Sequence, residues 1–187
     1  MNYITLSISL IFLILSNQII AETNTALQKE SSTLESNLNQ HGAMSKEVSA
    51  DYKKLAENSK DIENKIYNLL KALKIDETIL ASDNVQIEKD YLNIGTAYYM
   101  HKQHRTALFF LEKSAQLNNK YNHSEKGKVE IYSTLATVYN SYGNHQKALD
   151  SLKKVLPIQE ILLGKDHDQT KITRINIEYE EKKLNIK

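Results

Sequence analysis

The sequence predicts an all-α chain whose greater part is a short α-solenoid of antiparallel helix hairpins. Three observations predict it. Apolar residues recur at spacings of three and four through the middle of the chain, and strict alternation over a strand length is hard to find. Only five Gly and one Pro occur in 187 residues, too few for the turns of a β-sandwich or a Gly-rich phosphate-binding fold. The chain also matches itself at a shift of 41 residues and again at 83.

In chain order, Tyr3 to Leu15 form an apolar run interrupted only by Thr and Ser, and no charge occurs before Glu22. Ser16-Asn17-Gln18 break the run, and Ala21 offers a small residue at the exit, the layout of a secretory signal cut after Ala21. The alternative is an uncleaved anchor, because residues 3–21 are just long enough to span a membrane of about 30 Å. Either reading places the rest of the chain outside the cytosol, periplasmic or secreted. There are no cysteines, which excludes a disulfide framework, a thiolate zinc site and a cysteine nucleophile. Lys plus Arg number 24 against 23 Asp plus Glu, so neither a nucleic-acid tail nor a polybasic membrane patch is indicated. Residues 22–42 are polar and read as a linker, a frayed helix or a short coiled coil that Gly42 interrupts.

From residue 43 to 187 the helical repeat domain follows. Met44, Val48, Tyr52, Leu55, Ile62, Ile66, Leu69, Leu70 and Leu73 fit one face of one or two helices. Gly127, Gly143 and Gly164 suit helix ends or turns. Pro157 predicts a kink within a helix. At the shift of 41, Tyr91, Ile94, Gly95, Tyr98, Ala107 and Leu111 fall on Tyr132, Leu135, Ala136, Tyr139, Ala148 and Leu152. A helix hairpin requires such a pattern: small residues let the second helix approach, and Tyr and Leu fill the groove between the two. At the shift of 83, Leu80–Gln86 falls on Leu163–Gln169 and Leu92-Asn93-Ile94 on Ile175-Asn176-Ile177. Asp83-x-x-Gln86 and Asp166-x-x-Gln169 read as capping boxes. A unit of 41 to 42 residues signals stacked hairpins.

These residues resemble the tetratricopeptide repeat in the longer variant of kinesin light chains. The best unit, 125–164, carries Tyr132, Leu135, Ala136, Tyr139, Gly143, Ala148 and Leu152, then Ile161 to Asp168 as the connection to the next repeat. Unit 84–122 departs from the family at Lys102, where Gly is common in the turn. Residues 50–81 resemble a degenerate unit, with Tyr52, Leu55 and Ala56 in its first helix, and 168–184 a capping helix.

The resemblance implies that the first helix of each unit lines an inner groove for a protein or peptide. The groove positions it implies are Lys89, Leu92, Asn93, Thr96, Tyr99 and Met100, then Ser133, Thr137, Asn140 and Ser141, and Arg174 in the capping helix. An aromatic beside amides suits a peptide, the ring taking a side chain and the amides taking backbone groups. Self-association through an end face is a further expectation.

Catalytic patterns are weak. His101 and His104 form an H-x-x-H pair that needs a third ligand, for which His123 or Glu112 is nearest in kind. His167 lies between Asp166 and Asp168, where capping explains it. Phe109-Phe110 reads as helix core. Neither a phosphate loop, H-E-x-x-H nor G-x-S-x-G occurs. The expectation is therefore an exported adaptor or scaffold, with no catalysis, cofactor or nucleic acid. The alternatives are a structural envelope subunit tethered to the membrane by its first segment, or an exported metal-binding protein or enzyme using His101 and His104.

Overall fold

The computed structural model describes residue 25 and residues 28–185; the apolar segment 3–21 lies outside the described residues. The described residues form helices and turns, with no strand among them. In chain order the helices are α1 (28–41), α2 Lys46–Asn58, α3 Ile62–Ile79, α4 Val85–Met100, α5 His104–Tyr121, α6 Glu125–Ser141, α7 His145–Leu162 and α8 Asp168–Lys183. From α2 onward each helix packs on the next, and α4 also touches α6. Turns of three to five residues force consecutive helices to lie antiparallel.

Much of the polar stretch 22–42 is helical, and α1 docks on α2 through polar contacts. Asn58 Nδ2 donates to the buried Glu30 Oε1 at 2.5 Å, and Asn37 Nδ2 to Asp51 Oδ2 at 2.7 Å. Side-chain hydrogen bonds supply what the apolar pattern there lacks.

The hairpins close through small residues. Ala107 and Ala148 are fully buried. A Cβ added to Gly95 would lie 2.6 Å from Leu111 Cγ and 3.1 Å from the Ala107 carbonyl oxygen. The α4–α5 turn passes through Lys102 at φ 60°, and the matching α6–α7 turn through Gly143 at φ 79°. The left-handed turn that Gly143 takes freely is thus imposed on a lysine.

Two expectations move. The caps of α4 and α8 are Asn84 and His167, which accept from the amides of Gln86 and Gln169. They sit one residue beyond Asp83 and Asp166, and the Gln86 side chain turns forward to Asp90. Phe109 is 55% exposed, and Phe110 alone of the pair packs inward, stacked on Tyr98 at 5.4 Å. α7 runs unbroken through the exposed Pro157.

One three-residue position recurs where each first helix meets the hairpin before it. Along the chain it reads Lys53, Asp76, Asp90; then Leu92, Asn118, Ile131; then Ser133, Gln159, Thr173. The first version is ionic. Lys53 Nζ bridges Asp76 and Asp90, at 2.8 Å to Asp90 Oδ1, and both carboxylates are almost wholly buried. Asp90 Oδ2 is buried without a partner. Two carboxylates share one ammonium, so the joint is one proton short of neutral. Burial, and then the Asp76 hydrogen bond, push the Asp90 carboxyl up to about 6 against the pull of Lys53 and Gln86. Burial also raises Asp76, but hydrogen bonds from Asp90, Lys53 and Ser49 outweigh it and hold that carboxyl below its ordinary value.

Three predictions follow from this packing and charge. Asp90 binds its proton more tightly folded than unfolded, so it favours folding as pH falls through about 6 toward its ordinary 3.8 and opposes folding above that window. Asp76 acts in the opposite sense, its contribution being lost in more acid solution. Asp90→Asn is therefore expected to melt about 3 °C above wild type at pH 7.5, with the advantage shrinking by pH 5, in thermal circular dichroism at both pH values. In urea titrations, Gly95→Ala should cost about 1–2 kcal/mol, the overlap with Leu111 exceeding the gain in helix propensity. Lys102→Gly should gain about 0.5 kcal/mol by relieving the left-handed turn.

Candidate partner-binding groove

At the third version of the recurring joint Ser133 and Thr173 are short, and the space stays open. A groove of about 1060 Å³ runs between α6 and α8 with α7 behind it. Ser133, Thr137, Asn140 and Ser141 of α6 line it with Asn176 of α8. Ala136, Leu152, Leu162, Leu163, Ile172 and Tyr179 supply apolar wall. Leu162, Leu163, Ile172 and Tyr179 are each between 42% and 55% exposed, a cluster of large apolar side chains open to solvent on one face. Thr173 donates to Gln159 Oε1 at 2.7 Å, so this buried pair satisfies itself without charge.

Charge is sparse in the groove. Lys126 and Glu130 lie together on the first two turns of α6. Glu180 stands at the far end, 2% exposed, where it accepts from Asn140 Nδ2 and bonds His145 Nδ1 at 2.8 Å. That carboxylate ties the capping helix to the α6–α7 turn.

The residues implied by the family resemblance divide into groups. Ser133, Thr137, Asn140 and Ser141 line this groove together. Two of them are also struts: the Asn140 amide is taken by Glu180, and Ser141 Oγ lies 3.1 Å from Tyr99 Oη. Lys89, Asn93, Thr96, Tyr99 and Met100 sit on α4, outside the groove. Lys89, Asn93 and Met100 are exposed, the Thr96 hydroxyl donates to the Leu92 carbonyl at 2.9 Å, and Tyr99 is half-buried. Leu92 is buried in the core with Ile131 and Leu135 and presents nothing to a partner. Arg174 turns from the groove to α7, donating to Glu160 at 2.6 Å and to the Lys165 carbonyl at 2.8 Å. Its position is that of Tyr91, whose hydroxyl donates to Glu77 of α3 at 2.5 Å.

The metal alternative loses its third ligand. His123 is held between Glu88 Oε2 at 2.5 Å and the Asp83 carbonyl at 2.7 Å, while Glu112 accepts from Tyr139. His104 packs its ring against Tyr99. Among the described residues no three His, Asp or Glu side chains converge to hold a metal ion.

Ile172, Asn176 and Tyr179 are groove residues that the sequence reading did not select. The signal existed. They stand 83 residues after Lys89, Asn93 and Thr96, the shift already seen in Asn93 and Asn176. Leu162 and Leu163 were absorbed into an apolar junction string, and nothing local separates a lip residue from a core residue there.

Because Asn140 is a strut, Asn140→Ala should lower stability by about 1–3 kcal/mol in urea unfolding, leaving the buried Glu180 half-satisfied. Ser133→Ala should be nearly silent.

Residues 129–169 match the tetratricopeptide repeat family model. No curated protein matches the chain. Among solved structures, the chain resembles a Podosopora anserina kinesin light chain with nearly identical TPR-like repeats at TM-score 0.75 and 16% identity, covering 99% of this chain and 89% of that one. BtubC (BKLC) from P. vanneervenii gives TM-score 0.69 and 15% identity, over 88% of this chain and 69% of that one. MamA gives 0.54 and 18%, over 91% and 95%. At these identities the likeness is one of fold. Residues 129–169 thus match a tetratricopeptide repeat, and the chain that carries them shares the fold of tetratricopeptide-like helical arrays.

Proposed function

We propose that the protein is an exported, non-catalytic scaffold that binds a segment of another protein in the α6–α8 groove. One observation carries the reading: an open, largely uncharged groove whose lip exposes Leu162, Leu163, Ile172 and Tyr179. Such an apolar lip beside hydroxyl and amide groups suits a protein segment, with side chains against the wall and backbone against the polar groups. The helical-repeat fold is typically an interaction scaffold, which agrees with this reading. Binding through one short groove buries little area and is expected to be transient.

Export rests on the apolar segment 3–21 with its small exit residue Ala21. Among the described residues no helix is long and apolar enough to cross a membrane.

A photo-crosslinking residue placed at Thr137 should capture a protein partner in the producing cell. The same residue at Phe109, exposed on α5 outside the groove, should capture none. Absence of an adduct at Thr137, or equal capture at Phe109, would remove the groove assignment. The mass of the protein recovered from those cells tests export: loss of residues 1–21 is expected. The intact chain in the membrane fraction would mean a tether, and the intact chain in the cytosol would end the export reading.

A further inference from the structure

We infer that the α6–α8 groove is a socket for an aliphatic side chain carried on an uncharged, extended segment of the partner; this rests on the groove reading above. The ground is the comparison of the three versions of the recurring joint. In the first, the Lys53 ammonium fills the space beside Asp76 and Asp90. In the second, Leu92 fills it, buried to 6% exposure against Ile131, which is itself fully buried. In the third, Ser133 stands 41 residues after Leu92 and has two side-chain heavy atoms fewer than that leucine, so the volume opens as the groove. The wall facing that volume is aliphatic: Ala136, Leu152, Leu162 and Ile172. A leucine-like side chain from outside would therefore meet surroundings like those Leu92 finds from within.

The charge pattern sets the rest of the segment. One residue in four of the chain is charged, yet the groove has only Lys126 and Glu130 without an ionic partner, and they stand as an opposed pair on the first turns of α6. Glu180 is already bound by Asn140 and His145. Beyond that end of α6, a charged side chain laid along the groove would lose hydration and gain no counter-ion. Ser133, Thr137 and Asn176 instead offer neutral groups along its length, suited to the backbone of an extended chain. The α6 stretch 126–141 is about 22 Å long, the span of about seven extended residues.

Selection of a random twelve-residue peptide display library on the full chain tests this. Enriched peptides should share a Leu, Ile, Val or Met within a run of about seven residues depleted of Asp, Glu, Lys and Arg. A synthetic copy should lose binding at least tenfold to Ser133→Leu, which fills the socket from within, and keep it with Ser133→Ala. The melting temperature of each variant, at or above wild type, shows that the fold is intact. Peptides enriched in charged residues, or binding retained by folded Ser133→Leu, would overturn the inference. If such peptides still compete with crosslinking at Thr137, the groove reading survives while its aliphatic socket falls. If no enriched peptide competes there, both fall.

Discussion

Everything in this molecule depends on how closely one helix can approach the next. Gly95 has no side chain because Leu111 and the Ala107 carbonyl already occupy the place where one would be. Ala107 and Ala148 are small for the same reason on the facing helices. Dispersion energy falls steeply with separation, so a hairpin held apart by one methyl group would lose contacts along its whole length. Close approach within hairpins then dictates where successive first helices meet.

At those meetings the chain uses one geometry and three chemistries. An ion cluster, an aliphatic pair with a buried amide, and a neutral amide–hydroxyl pair occupy the same position in turn. Links beside it recur as well: Glu77 with Tyr91, Asn119 with Tyr132, Glu160 with Arg174, each 13 or 14 residues apart. Stacking thus needs a packed contact at each site but tolerates its identity, even where Asp90 Oδ2 and Asn118 Oδ1 are buried without a hydrogen bond. That tolerance leaves room for function, since the version with the shortest side chain leaves a groove.

From α2 to α8, buried charge is kept at two kinds of place. Glu88 and Glu180 are each held by a histidine and an asparagine from the neighbouring element. Lys53, Asp76 and Asp90 instead share charge with one oxygen left over. The first arrangement satisfies both carboxylate oxygens, whereas the second holds a proton deficit within the joint between α2, α3 and α4.

Much of the fold was legible because periodicity and self-similarity are properties of the chain. The 3.6-residue pattern marks helices, the shift of 41 marks hairpins, and small residues at fixed offsets mark where they touch. Four residues that line the groove on α6 were pointed to by the family resemblance, not by periodicity. Other features required the tertiary structure. Arg174 and Asn176 are two residues apart, yet one faces α7 and the other the groove. Leu92 and Ser133 share one repeat position, yet only the packing around them shows that one plugs a space and the other leaves it open. The sequence by itself determined the repeat, because it is written in spacing; only the tertiary structure decided which joint is filled, because that depends on the volume three separate helices leave between them.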